Sequence, residues 1–372
     1  MKTKEYPIIN ADEIPCQEIS DPAVLSKTPL VSVKMITYNH EPYIAQAIEG
    51  VLMQKTDFPI ELVIGEDCST DRTREIVFDY QKKHLDIIRV ITPDKNVGAN
   101  KNNKITIKAC RGKYMAFCEG DDYWHHPKKL QMQVDYLEDH PEVGLVHSDV
   151  DRYNVETGVR MLSYHKKRRL LYKHKKILNG MIVNEYIVET CTAVVRKEMY
   201  DEIRRTCVYE FSEKFLMGDV QTWMEIAYRS KVKYIDESLA TRNLLPESAC
   251  HSKDIDKRIR FSRSARAVAL HYADKYGGKD YMELKKWILE RSNKLLIRTA
   301  CHVGNPELAR EILNNSRKYD VPLDPVGYVC FFGAQKNIVS WPARALIWLS
   351  WRCRRLLARV KWLRALRVRM RK

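Results

Sequence analysis

The chain has 372 residues with 64 Lys and Arg against 48 Asp and Glu, a net charge of +16, and 45% hydrophobic content. That balance describes a soluble globular protein and excludes a disordered one, and the length allows a large domain plus something smaller. The charge is uneven: no acidic residue follows Asp324, and the twelve Lys and Arg from Lys336 to Lys372 leave +4 for residues 1–324.

Residues 1–29 are polar, irregular and Pro-containing and read as a lead-in arm. The N-terminus lacks the apolar core of a signal peptide. The ten cysteines include no CxxC pair, so they read as reduced structural thiols of a cytosolic protein. From residue 30 to about 150 strands and helices alternate. The expected strands are 31–36, 60–65, 87–91, 113–118 and 143–149. The expected helices are 44–53, from Ser69 or Thr70 to about 84, 104–110 and 130–137. This alternation predicts a mostly parallel sheet with helices on both faces. Residues 151–180 are hydrophilic, and the basic run 165–176 reads as a solvated loop. Asp219 opens a helix through 223–228, and residues 254–317 are helical.

In such a sheet, ligands bind outside the carboxyl ends of the strands. Three strands end in polar clusters there: Thr37-Tyr38-Asn39, Glu66-Asp67 and Glu119-Gly120-Asp121-Asp122. No GxGxxG or GxxxxGK[ST] is present, so side chains and a metal must hold the ligand. Three carboxylates in four residues after a core strand are costly unless something positive joins them. Their oxygens suit Mg²⁺ or Mn²⁺ carrying a phosphorylated ligand. The plainer alternative is that Asp121 and Asp122 begin the turn into the helix after Pro127. Asp67 is either a turn aspartate or a base or ribose contact. Tyr38 either stacks on a base or belongs to the core. Asp219 alone reads as a helix N-terminal carboxylate.

The stretches VSVKMITYNHEPYIAQAIEGVLMQ, ELVIGEDCSTDRTREIV and ACRGKYMAFCEGDDYWHHPKKLQMQVDYL, in that order and spacing, resemble the family 2 inverting glycosyltransferases of bacterial surface polysaccharides, which have the GT-A fold. The match covers about residues 30–150 and extends less tightly through MGDVQTWMEIAYRS to about 245. The resemblance implies that Thr37, Tyr38, Asn39 and Glu41 line a nucleotide pocket and that Asp67 bonds the base. It implies that Asp121 and Asp122 hold ribose and metal, with Asp122 the metal ligand and Asp121 a ribose or metal contact, that Asp219 is the general base, and that Arg242 contacts the diphosphate. Glu119, Tyr123 and Trp124 would lie toward the sugar or acceptor. Gly218 stands where the family commonly has Glu, and Leu244 where many members have His. The implied ligands are a nucleotide-sugar donor, most often a UDP-sugar, with Mn²⁺ or Mg²⁺, and a glycan or lipid-linked acceptor.

The expected organisation is an arm (1–29), a GT-A domain (30–250), a helical extension (251–325) and a basic Trp-rich segment (326–372). Within the last, residues 338–351 hold 14 residues with one charge. That run is short of the ~20 residues needed to span a bilayer. With the Arg-rich sequence that follows, 338–372 suits an anionic membrane surface better than nucleic acid. The expected location is the inner face of the cell membrane, as a peripheral cytoplasmic protein. The alternatives are a sugar-nucleotidyltransferase, which would want a Gly-rich lysine-bearing loop after the first strand, and a non-enzymatic membrane or nucleic-acid adaptor.

Overall fold

The computed structural model describes residues 11–25, 28–168, 176–212, 215–246 and 254–335. The basic Trp-rich run 338–372 lies outside the described residues, as do residues 169–175 of the basic run 165–176. The chain divides into two compact units, residues 1–251 and 252–372.

In the first unit, strands β1 (Cys16–Ile19), β2 (Val31–Thr37), β3 (Ile60–Glu66), β4 (Ile88–Pro93), β5 (Tyr114–Phe117), β6 (Tyr123–Trp124), β7 (Val143–Asn154), β8 (Arg160–Met161), β9 (Val194–Arg196) and β10 (Lys231–Leu244) form one sheet. Its order is β1-β4-β3-β2-β5-β9-β7-β10-β6, with β8 on β7. The helices are α1 (Ile44–Leu52), α2 (Thr73–Lys83), α3 (Ala99–Ala109), α4 (Lys129–Asp139), α5 (Tyr164–Arg168), α6 (Ile177–Ile182), α7 (Lys197–Thr206) and α8 (Asp219–Arg229). The pairs β4/β3, β3/β2, β2/β5 and β7/β10 are parallel.

β2 shows how the sequence builds this centre. Val31, Val33 and Met35 alternate onto one face and join the core with Ile44, Ile48 and Val51 of α1. On the other face Ser32 donates to Glu61 Oε1 (2.6 Å), and Lys34 donates to Asn103 Oδ1 of α3 (2.8 Å). Both faces of the strand are therefore covered, as a central parallel strand requires.

Four expectations are corrected. The lead-in arm is not all irregular: β1 pairs antiparallel with β4, and Glu18 forms an ion pair with Arg89 of β4 (2.8 Å). β9 lies antiparallel between β5 and β7, so the parallel order is interrupted at the middle of the sheet. α2 starts at Thr73 rather than at Ser69 or Thr70 because those hydroxyls are engaged by Asn39. Asp71 Oδ1 instead accepts the Thr73 N–H (2.9 Å). The run beginning at 165 is not wholly solvated: His165 is 0% exposed, and its N–H bonds Asp149 Oδ1 (2.9 Å).

In the second unit α9 (Ile255–Tyr276), α10 (Tyr281–Val303), α11 (Pro306–Lys318) and α12 (Pro325–Gln335) enclose Ile259, Leu296, Ile297, Leu308, Ile312 and Cys330. Asp254 caps α9 by accepting the N–H groups of Asp256 and Lys257, and Asn305 caps α11, which has Pro306 in its first turn. Among the described residues no helix is long and apolar enough to cross a membrane.

Candidate active site

The carboxyl ends of β2, β3 and β5 meet through backbone hydrogen bonds. Asp67 N–H donates to Thr37 O (3.2 Å), and Gly120 N–H to Ile36 O (3.0 Å). A Cβ on Gly120 would stand 2.6 Å from Thr37 Oγ1 and 2.9 Å from His40 Nδ1, so only glycine lets the acidic turn approach β2 this closely.

On the β2 side Tyr38 is 41% exposed, and Asn39 has a positive φ of 55°. Asn39 is locked to the next loop: its N–H donates to Ser69 Oγ, and its Oδ1 accepts the Thr70 N–H (2.8 Å). Glu41 crosses to the same loop, with its N–H on Asp71 Oδ2 and its Oε2 accepting from Arg72 N–H (both 3.1 Å). Asp67 is buried and holds the loop before α3 through the N–H groups of Val97 (2.8 Å) and Gly98 (2.9 Å). Burial pushes the Asp67 carboxyl up, with those two N–H bonds opposing.

The acidic turn itself is divided. Asp122 is 7% exposed, and its Oδ1 accepts the N–H of Asn243 on β10 (2.8 Å). Burial and the neighbouring charge of Asp121 hold it well above the usual carboxylate range. Asp121 is half-buried, and Asn243 Nδ2 binds its backbone carbonyl (2.6 Å) rather than its carboxylate. Glu119 stands 3.8 Å from Lys34 Nζ, and its Oε2 is a buried oxygen with no hydrogen-bond partner. Burial pushes Glu119 up, Lys34 opposes, and the charges of Asp121 and Asp219 add to the rise. Asp219, the first residue of α8, is exposed and accepts a hydrogen bond from Thr190 Oγ1 (3.0 Å).

Tyr123 and Trp124 form β6, which pairs with Thr241 and Ala240 of β10 and so brings Arg242 beside the turn. Trp124 is a core residue, 1% exposed, with Nε1 donating to Cys191 O (2.8 Å). Tyr123 is 8% exposed, and its hydroxyl accepts from Arg160. Arg242 forms an ion pair with the buried Glu189. Lys34, Glu189, Thr190 and Asn243 were not among the residues expected here. Lys34 carries a readable signal, a lone cation within an apolar strand; Glu189 carries none.

Lys129 lies under the site, 0% exposed, with Nζ 4.1 Å over the Trp124 ring and donating to Gln133 Oε1 (2.7 Å). Burial pushes its ammonium from the ordinary 10.5 down to about 7. Between those pH values the unfolded chain binds the proton and the folded chain does not, so stability rises with pH across the window. Lys129→Met is expected to remove that rise, on the order of 4 kcal/mol from one end to the other. Urea titrations of both proteins at the two ends measure it, and equal pH slopes would refute it.

Among the described residues no three Asp, Glu, His or Cys side chains converge closely enough to hold a metal by themselves. The oxygen-only donors, their mutual repulsion and the orphaned Glu119 Oε2 fit a hard divalent ion whose remaining ligands would come from a substrate diphosphate.

Polar residues and an acidic turn gathered at the joined carboxyl ends of β2, β3 and β5 suit the GT-A fold. Residues 32–204 match the Glycosyl transferase family 2 model, and this part of the chain is a family 2 glycosyltransferase domain. An uncharacterized protein of Mycobacterium tuberculosis is 35% identical over 173 residues, 46% of this chain and 49% of its own length. The putative teichuronic acid biosynthesis glycosyltransferase TuaG of Bacillus subtilis is 36% identical over 109 residues, 29% of this chain and 42% of its own. The chain thus spans about half the length, or less, of these curated relatives. Among solved structures, S. aureus TarS 1–349 superposes with a TM-score of 0.55 at 17% identity, covering 82% of this chain and 88% of its own. The mannosyltransferase PcManGT from Pyrobaculum calidifontis, in complex with GDP-Man and Mn²⁺, gives 0.51 at 16% identity, covering 90% of this chain and 87% of its own. At these identities the two structures share the fold.

Proposed function

We propose that the chain is a metal-assisted inverting glycosyltransferase that moves a sugar from a nucleoside-diphosphate donor to a hydroxyl of a glycan or lipid-linked acceptor in cell-surface polysaccharide synthesis. The observation that carries this reading is the acidic turn. Asp121 sits beside the joined ends of β2 and β3, and Asp219 is near enough for its charge to act on Glu119.

The nucleotide lies against Thr37, Tyr38 and Asn39, with the exposed Tyr38 ring as the stacking surface and Glu41 bracing the loop from Ser69 to Arg72. Asp67 orients the base edge while it secures the loop at Val97 and Gly98. Of the two aspartates, Asp121 is the metal ligand. Asp122 is the anchor that ties the turn to β10, because Asn243 occupies one of its oxygens inside the protein. Asp121 would hold Mn²⁺ or Mg²⁺ together with the donor diphosphate, and the ion would supply Lewis-acid stabilisation of the leaving group. Arg242 adds positive charge on the same side. Asp219 takes the proton from the acceptor hydroxyl as that oxygen attacks the anomeric carbon opposite the leaving diphosphate, so configuration inverts. The exposed helix start leaves room for an acceptor.

The teichuronic-acid name of one relative favours a surface-polysaccharide acceptor. TarS 1–349 in complex with UDP-GlcNAc favours a nucleotide-sugar donor, and PcManGT with GDP-Man and Mn²⁺ favours such a donor with a divalent ion. Residues 338–372 would hold the enzyme at an anionic membrane surface on the cytoplasmic side. The test is release of nucleoside diphosphate from a panel of UDP- and GDP-sugars with Mn²⁺, using the full chain and a chain ending at residue 337. Turnover of one donor by both, with only the full chain sedimenting with anionic vesicles, is expected. No turnover of any donor sinks the enzymatic reading, and equal sedimentation sinks the membrane one.

A further inference from the structure

Glu189 is 3% exposed and lies just before the single turn Thr190–Thr192. Its carboxylate forms ion pairs with two guanidiniums at once, Arg152 through Oε1 and Arg242 through Oε2. These arginines are register partners on the adjacent parallel strands β7 and β10. Arg152 is the fixed member: its guanidinium lies 3.6 Å over the Tyr164 ring, and its side chain is 14% exposed. Arg242 is the more open one, at 31%. One carboxylate therefore holds two cations. A buried carboxylate is expensive without such pairing. Burial pushes Glu189 up, but Arg242 and Arg152 outweigh it and hold the group at about 2.

One peptide bond further on, Thr190 Oγ1 donates to Asp219 Oδ2 (3.0 Å), while the other Asp219 oxygen accepts the Val220 N–H (2.8 Å). The turn is stiffened by Thr192 N–H to Glu189 O (2.9 Å), Ala193 N–H to Thr190 O (3.1 Å) and Thr192 Oγ1 to Glu189 O (2.7 Å). Cys191 O accepts from Trp124 Nε1, which ties the turn to the strand directly after the acidic turn at residues 119–122.

We propose that Glu189 and Thr190 are a coupled pair of positioning residues, which set the diphosphate arginine and the general base at a fixed separation through one rigid turn. Neither touches the reacting atoms. Glu189 acts through Arg242, and Thr190 acts through Asp219. The inference rests on the roles proposed above for those two residues. It adds that a single turn sets donor binding and acceptor activation, each through a different side chain.

A purely structural ion pair would not divide the kinetic constants, and a positioning pair does. With the donor that the wild type turns over, Glu189→Gln is expected to raise donor KM about 10-fold with kcat within about twofold. Thr190→Val is expected to lower kcat about 10-fold with donor KM unchanged, and Thr190→Ser to restore it. Should Glu189→Gln not fold, the Thr190 variants carry the test alone. The proposal is overturned if Thr190→Val matches the wild type, if Thr190→Ser fails to rescue, or if a folded Glu189→Gln changes kcat and KM together or only lowers Tm. Failure of the underlying reading is separate: it shows as unchanged donor KM in Arg242→Gln, or full transfer in Asp219→Asn.

Discussion

Asp219→Asn is expected to lower kcat by roughly 10²–10⁴-fold while donor binding stays within about twofold. The substitution keeps the shape and the hydrogen-bonding oxygen and removes only the ability to accept a proton. The amide oxygen can still accept the Val220 N–H, Thr190 Oγ1 can accept from the amide NH2 that replaces the second oxygen, and the side chain is exposed at the start of α8, so little stability is at stake. The loss therefore belongs to the transition state rather than to binding or folding. Single-turnover transfer alongside calorimetric titration of the donor separates the two effects. Activity within tenfold of wild type would mean that another group takes the proton.

The second large effect separates two adjacent aspartates. Asp121→Asn is expected to weaken binding of UDP or GDP in the presence of Mn²⁺ by about 100-fold and to abolish its dependence on the metal, since a neutral amide is a poor ligand for a hard cation. Asp122→Asn is expected to bind the same nucleotide within about threefold of wild type. Asn keeps the acceptor for the Asn243 N–H and removes a charge that burial and Asp121 already disfavour. Its melting temperature should be equal or higher. Paired titrations with and without Mn²⁺ decide it, and the reverse ranking would make Asp122 the metal ligand.

The contrast illustrates how far the residues could be read in advance. The resemblance pointed to Asp122 as the metal ligand and to Asp121 as a ribose or metal contact. The proposed reversal depends on β10, more than a hundred residues later, because Asn243 reaches back to both. Trp124 has the same history: an aromatic beside an acidic turn suits a sugar platform, yet its pairing with Ala240 and its bond to Cys191 O place it in the core. The start of α3 was not legible either. Ala99-Asn100-Lys101-Asn102-Asn103 has weak helix propensity, but the helix begins there because Asn102 Nδ2 bonds Gly65 O (2.8 Å) and Asp67 holds the preceding loop.

By itself the sequence determined the central strands and the meeting of their polar ends, because hydrophobic alternation and helix periodicity are local properties of the chain. It also placed Thr37, Asp67 and the acidic turn on one edge, since a parallel sheet sends all its carboxyl ends the same way. The tertiary structure decided the rest. It put β9 and β6 into the sheet antiparallel, sank Lys34 beside Glu119, and brought Glu189 between two arginines. Those outcomes come from long-range pairing and from the cost of burying unpaired charge, and neither is a function of any short window of residues.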